Sequence, residues 1–224
     1  MEPYVPDRKS KPVNRDSLVY PALYNGPVNY FARLVRESEI ILEIFDHYSK
    51  QTYRNRCLVM GPNGVMALSI PIKKIRGEKN LLKDVRVDYQ TPWNKIHWRS
   101  LTASYTASPY FEYYRDDLAP FYEKRTEFLV DLNLQLLECT LRMMNLHIPV
   151  HFSKSFREID GSDDPRLYIH PKKNQAVFDP AFQPVGYHQV FADRLGFRSN
   201  LSFLDLLFNE GPSALMLLHQ SLIT

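Results

Sequence analysis

Cross-linking chemistry is nearly missing from this 224-residue chain, which holds two cysteines, Cys57 and Cys139. They lie far apart and form no clustered spacing. That excludes a disulfide framework and a thiolate zinc site, and both read as reduced, structural thiols. No apolar run approaches the ~20 residues that a membrane span needs, so no span is expected. The opening segment MEPYVPDRKSKPVNRDS is polar, punctuated by proline, and has no signal-peptide core. Residues 1–16 are therefore expected to form a disordered N-terminal arm, residues 17–224 a single domain, and the cytoplasm is the expected compartment. Glycine is scarce at eight residues, and neither GxGxxG nor a Walker pattern occurs. Metal-ligand spacing, a nucleophile elbow and a Cys–His nucleophile pattern are absent too, so neither a metal nor a cofactor is expected. An excess of one charge is also lacking. The 28 Lys and Arg are mixed among 25 Asp and Glu for a net charge of +3, which argues against a nucleic-acid partner. Internal repeats and low-complexity segments do not occur.

What the chain does have is apolar and aromatic mass. Hydrophobic residues make up 44% of it, enough for a sizeable core, and 14 Tyr, 13 Phe and 2 Trp bring the aromatics to 13%. Such side chains can fill a core, line a sugar or nucleotide pocket, or form a partner surface.

The pattern along the chain predicts an α/β fold with a small, mostly parallel sheet and a helical C-terminal half. A first strand is expected over Ser17–Tyr24, and Asn25-Gly26-Pro27 is turn chemistry that starts a helix at Pro27–Arg36. Glu39–Phe45 reads as a buried second strand. Strand, helix and strand in thirty residues are a βαβ start, which favours adjacent parallel strands and a right-handed crossover. Arg54–Met60 and Val65–Ile72 follow as strands, joined by a hairpin at Gly61-Pro62-Asn63-Gly64. Val85–Val87 is a further short strand. Thr91-Pro92 and Ser108-Pro109 offer starts for helices over Trp93–Ala107 and Tyr110–Leu118. Thr126–Met144, apolar nearly all round, is the central helix, and Ile148–Phe152 a strand after it. Ser202-x-x-Asp205 is a capping-box pattern that opens Phe203–Phe208, and Gly211-Pro212 precedes a last helix over Ser213–Leu222.

The densest polar cluster, Asp46 to Arg56, directly follows the second strand. Loops beyond the C-terminal ends of parallel strands are where ligands bind. Lys50, Arg54 and Arg56 are candidates to hold a phosphate or carboxylate. Gln51, Tyr53 and Asn55 are candidates to read sugar hydroxyls, and Asp46 or His47 is a candidate general base. The alternative is a solvated connection whose arginines are edge charges. Trp93 and His97 stand one helical turn apart, with Ser100, Ser104 and Tyr105 near that face. His97 is the second candidate base, and Trp93 and Tyr105 are candidate ligand contacts; the alternative is a core histidine under packed tryptophan. The first strand-to-helix turn is a weaker anion-site candidate. His170-Pro171-Lys172-Lys173 reads as a lid or an exposed basic loop, and Tyr187-His188-Gln189 is equally open.

Several segments, taken in order, resemble the WbqC-like family: YPALYNGPVNYFARL, KQTYRNRCLV, ALSIPI, WNKIHWRSLTASYTASPYFEYY, YHQVF and NLSFLDLLFNEGP. The resemblance runs from about Leu18 to the C-terminus. Many members carry a histidine in an HQPxYxP-type turn, where this chain has Val19-Tyr20-Pro21, so no role for that histidine transfers. The resemblance implies an association with O-antigen and surface-polysaccharide assembly and a proposed glycyl or acyl transfer to an amino sugar. It transfers no catalytic residues. The expected function is thus a transferase with a small-molecule or nucleotide-sugar ligand. The rival reading is a non-catalytic scaffold or regulator that binds through its aromatic surface. The sequence assigns no oligomeric state.

Overall fold

The computed structural model describes residues 18–74, 80–158, 164–170 and 179–223. The expected N-terminal arm lies outside these residues, as do Pro171–Lys173 of the candidate lid and most of the charged loop after Lys74.

Three strands form the parallel sheet: β1 (Val19–Pro21), β2 (Ile40–Glu43) and β5 (Val150–Phe152), in the order β1-β2-β5. Val19 pairs with Ile41, and Ile40 with Val150, both in parallel. Helix α1 (Val28–Leu34) joins β1 to β2, so the chain does open with the βαβ unit that its pattern predicted. The sheet stays short because its strand ends are claimed early. Glu43, the last residue of β2, is 1% exposed, and its carboxylate accepts from the Phe45 and Arg157 amides and the Ser153 hydroxyl. Arg166 stands 3.8 Å away and is itself bonded to Asp164. A buried carboxylate needs such partners, and here they fold the chain after β5 over the sheet end.

Strands β3 (Arg56–Gly61) and β4 (Gly64–Ser69) form the expected hairpin, with Gly61 opposite Gly64. The hairpin is a separate antiparallel pair and does not extend the parallel sheet. Val85–Val87 makes only isolated bridges, Val87 with Ile72 and Arg86 with Phe128.

The rest is helical: α2 (Trp93–Tyr105), α3 (Phe111–Glu123), α4 (Leu129–Met143), α5 (Pro165–Tyr168), α6 (Ala192–Leu195), α7 (Phe203–Glu210) and α8 (Ala214–Gln220). Helix α2 starts at Trp93 as expected, but the expected caps differ. Neither Thr91 nor Ser108 caps with its side chain; the capping positions are Pro92 and Tyr110. Helix α3 continues through Pro120 to Glu123, five residues past its expected end at Leu118. Half of the expected capping box forms. Ser202 accepts from the Leu204 amide, but the Ser202 amide is already donated to Leu58. Asp205 is free to turn into the core, where Tyr105, Tyr187 and Gln189 all donate to it. Burial holds its pKa above the usual carboxylate range although all three donors favour the ion.

One aromatic-rich core runs under both sheets and the helices. Helix α4 is central to it, with Leu129, Leu132, Leu136 and Leu141 all buried. Cys57 and Cys139 are both free and buried. Among the described residues, no helix is long and apolar enough to cross a membrane.

Candidate functional site

The loop from β2 to β3 brings the predicted polar residues together through local bonds. Backbone amides of Leu82 and Lys83 donate to the carbonyls of Asp46 and Ile44, which fixes where Asp46 leaves the sheet. The Thr52 hydroxyl donates to Ser49 O and accepts from the Arg54 amide. Gln51 takes a left-handed conformation with φ 61° to close this turn. Asn133, from the middle of α4, donates to Ala22 O and Arg54 O, so the loop is clamped against the exit of β1.

Within this frame the predicted residues divide. Arg54 forms an ion pair with Asp46, and both are partly exposed. Arg56 donates from Nε to the Ser69 hydroxyl at 3.0 Å. Among the described residues it takes part in no ion pair. Tyr48 lies beside both arginines. Burial pushes its phenol up to about 12, against the pull of the two guanidinium groups. Lys50 and Gln51 are exposed on the same loop, whereas Tyr53 is buried and Asn55 half-buried, its amide donating to Ile70 O.

His97 and Trp93 lie one layer deeper, at 4% and 3% exposure. The face they share points into the protein and not into an open pocket. Their rings meet edge to face at 5.1 Å. His97 Nδ1 is 2.9 Å from the Tyr24 hydroxyl, which stands 3.3 Å from the Tyr122 hydroxyl; Tyr122 in turn accepts from the Asn25 amide at 3.1 Å. The remaining ring nitrogen serves the Ser69 backbone. Burial lowers the His97 pKa to about 4 against that bond, so the imidazole is neutral near pH 7. Desolvation raises Tyr24 and Tyr122 well above their ordinary value, and pushes Cys57 up to about 12. The whole layer is uncharged. Ser69 links the two levels, since its hydroxyl holds Arg56 and its backbone holds His97.

Tyr105 is not part of this group. Its hydroxyl accepts from the Met60 amide and donates to Asp205. Met60 is four residues along β3 from Arg56, about 13 Å at the rise of a strand.

Around the site, among the described residues, several buried polar atoms make no hydrogen bond to protein: Arg54 Nε, Asn25 Oδ1, Asn55 Oδ1, Asn133 Oδ1 and Trp93 Nε1. Sequence reasoning missed Tyr24, Tyr122, Asn25, Tyr48 and Ser69 as members. Asn25 had a signal, because its turn chemistry is what the left-handed φ of 44° requires. Tyr122 had none; it arrives from α3.

Among the described residues, no cluster of His, Cys, Asp or Glu is placed to hold a metal ion. The fold and site thus define an α/β protein with an arginine–aspartate surface cluster above a neutral, hydrogen-bonded aromatic layer. Its sequence matches the WbqC-like protein family over residues 23–177, and the chain belongs to that family. It is also similar to the uncharacterized protein Rv1507c of Mycobacterium tuberculosis (strain ATCC 25618 / H37Rv). Identity is 26% over 211 residues, which covers 83% of this chain and 89% of that protein. No solved structure matches the chain.

Proposed function

We propose that this protein is a transferase that binds an anionic nucleotide-linked amino sugar and transfers a glycyl or acyl group to its amine from an activated acyl donor in surface-polysaccharide assembly. The observation that carries the reading is Arg56, a partly exposed guanidinium held by Ser69 and, among the described residues, matched by no carboxylate. A fixed cation without a partner suits a phosphate or carboxylate, because its orientation is set before the ligand arrives. Arg54 and Lys50 extend the positive surface, and Asp46 supplies the accessible carboxylate beside it.

In this reading the acceptor amine attacks the donor's acyl carbon, the leaving group departs with its electron pair, and Asp46 takes the amine's proton. His97 is a positioning residue. It holds Ser69, and through Ser69 it holds Arg56. Family membership supports the substrate class, and the arginine cluster supports the charge of the nucleotide sugar.

Mass spectrometry of an amino-sugar nucleotide incubated with protein and acyl donors tests the reaction. Product carrying the added acyl mass is expected, falling roughly 10²-fold or more in Asp46→Asn, as for loss of a general base. Equal turnover by Asp46→Asn would remove Asp46 from the mechanism, and no product with any donor would remove the reaction.

A further inference from the structure

A second concave surface lies away from the arginine cluster. It is a groove of about 530 Å³ between α3, the C-terminal end of α4 and the turn from α7 to α8. Its size falls within the ~300–1,000 Å³ of small-molecule sites. Arg142, on its wall, is nine residues along α4 from Asn133, the residue that clamps the Arg54 loop. At the helical rise that is about 14 Å, so this is a different site.

The walls are fixed by contacts already made. Cys139 Sγ reaches the Asp117 carbonyl at 3.6 Å and ties α4 to α3. The Tyr110 amide donates to Phe208 O at 3.0 Å. Gly211 lies against the Tyr110 ring so closely that a Cβ would sit 2.5 Å from it.

Three features set the chemistry. Tyr113, 75% exposed, offers an aromatic face at the rim. Asp117, Asn145 and the α4 C-terminal end supply acceptors, and a helix C-terminus adds partial negative charge. Among the described residues, Arg142 is the one cation lining the groove. Burial raises the pKa of the Cys139 thiol between Arg142 and Asp117, with Arg142 pulling it down and Asp117 adding to the rise. Among the described residues these two form no close ion pair, although the Arg142 charge also acts on the Glu138 carboxyl one turn earlier on α4, where it opposes the rise that burial causes. An acceptor-rich groove calls for a ligand rich in O–H donors, an exposed aromatic face suits the C–H face of a sugar ring, and a single guanidinium matches a single anionic group.

We propose that this groove binds an acidic sugar, a hexuronate or a hexose monophosphate, with its ring on Tyr113, its hydroxyls on Asp117 and its anionic group on Arg142. The inference rests on the groove alone and does not require the transferase reading.

Methyl-¹³C methionine NMR of the full chain tests it, because Met143 and Met144 both line the groove. Glucuronate, glucose 6-phosphate, glucose, acetate and inorganic phosphate are titrated in turn. The two acidic sugars are expected to shift the Met143 and Met144 signals, with glucose binding more weakly. Arg142→Gln is expected to weaken the acidic sugars roughly tenfold, the scale of one charge-assisted contact, and to leave glucose unchanged. Asp117→Asn is expected to weaken all three. Whichever acidic sugar binds tighter identifies the anion as carboxylate or phosphate. Shifts by acetate or phosphate alone that equal those of the sugars would reduce the groove to a simple anion contact. No shift with any sugar, or acidic-sugar binding unaltered by Arg142→Gln, would overturn the proposal. Arg56→Ala is expected to retain this binding, which keeps a failure here separate from a failure at the arginine cluster.

Discussion

His97 shows how far burial alone can set the state of one residue. An unfolded histidine takes up its proton near 6.5, whereas folded His97 does so only near 4. Across that window the unfolded chain binds a proton that the native state refuses. Stability is therefore lost as pH falls from 6.5 toward 4, and this contribution is complete above 6.5. The loss amounts to about 3 kcal/mol at most. Urea unfolding at pH 7, 5.5 and 4 is expected to show a steeper fall for the native sequence than for His97→Gln. Parallel curves would mean that His97 is not buried neutral. At pH 7 the same variant is expected to be less stable by about 1–3 kcal/mol, because the Tyr24 hydroxyl loses its partner. A histidine one turn after a tryptophan looks the same in sequence whether it lines a pocket or the core. Tyr24 and Tyr122 decide the matter here, and they come from distant segments.

At the scale of elements, legibility followed local punctuation. Strand β1, helix α1 and strand β2 could be read because Asn25-Gly26-Pro27 separates an apolar pair of runs. The β3–β4 hairpin could be read because Gly61-Pro62-Asn63-Gly64 admits little else. What could not be read were choices made by tertiary partners. Pro120 should end a helix, yet α3 runs one turn on, where Tyr122 stacks on Trp98 at 5.3 Å and its carbonyl accepts from Asn94. Asp205 fits a capping box by sequence, but three buried donors outbid the backbone for it. Gly211 is the sharpest case of a demand set by both levels. Its φ is +53° and the Tyr110 ring fills the space beside it. Gly211→Ala is expected to cost about 1 kcal/mol for the left-handed backbone and a further 1–3 kcal/mol for overpacking. Thermal denaturation that leaves this variant unchanged would show that the α7–α8 turn can give way.

For the whole molecule, the sheet is small and its role is to aim. Parallel pairing of β1 and β2 sends both strand exits the same way, so the Asn25 turn and the Asp46–Arg56 loop meet, with α4 reaching up through Asn133 to bind them. The polar segment after β2 was visible in sequence because it was dense and followed an apolar strand. The buried layer beneath it was not visible, since Tyr24, His97 and Tyr122 come from three separate segments that meet only once α2 and α3 are packed. The central claim is that the surface half binds an anion and that the core does not depend on it. Calorimetric titration of UDP-N-acetylglucosamine into the native protein and Arg56→Ala, with melting temperatures for both, tests this most directly. Binding weakened roughly tenfold or more by Arg56→Ala at an unchanged melting temperature is the expected result, in line with the ~1.5–3 kcal/mol of a hydrogen bond to a charged group. Undiminished binding, or a melting temperature that collapses with the arginine, would contradict it.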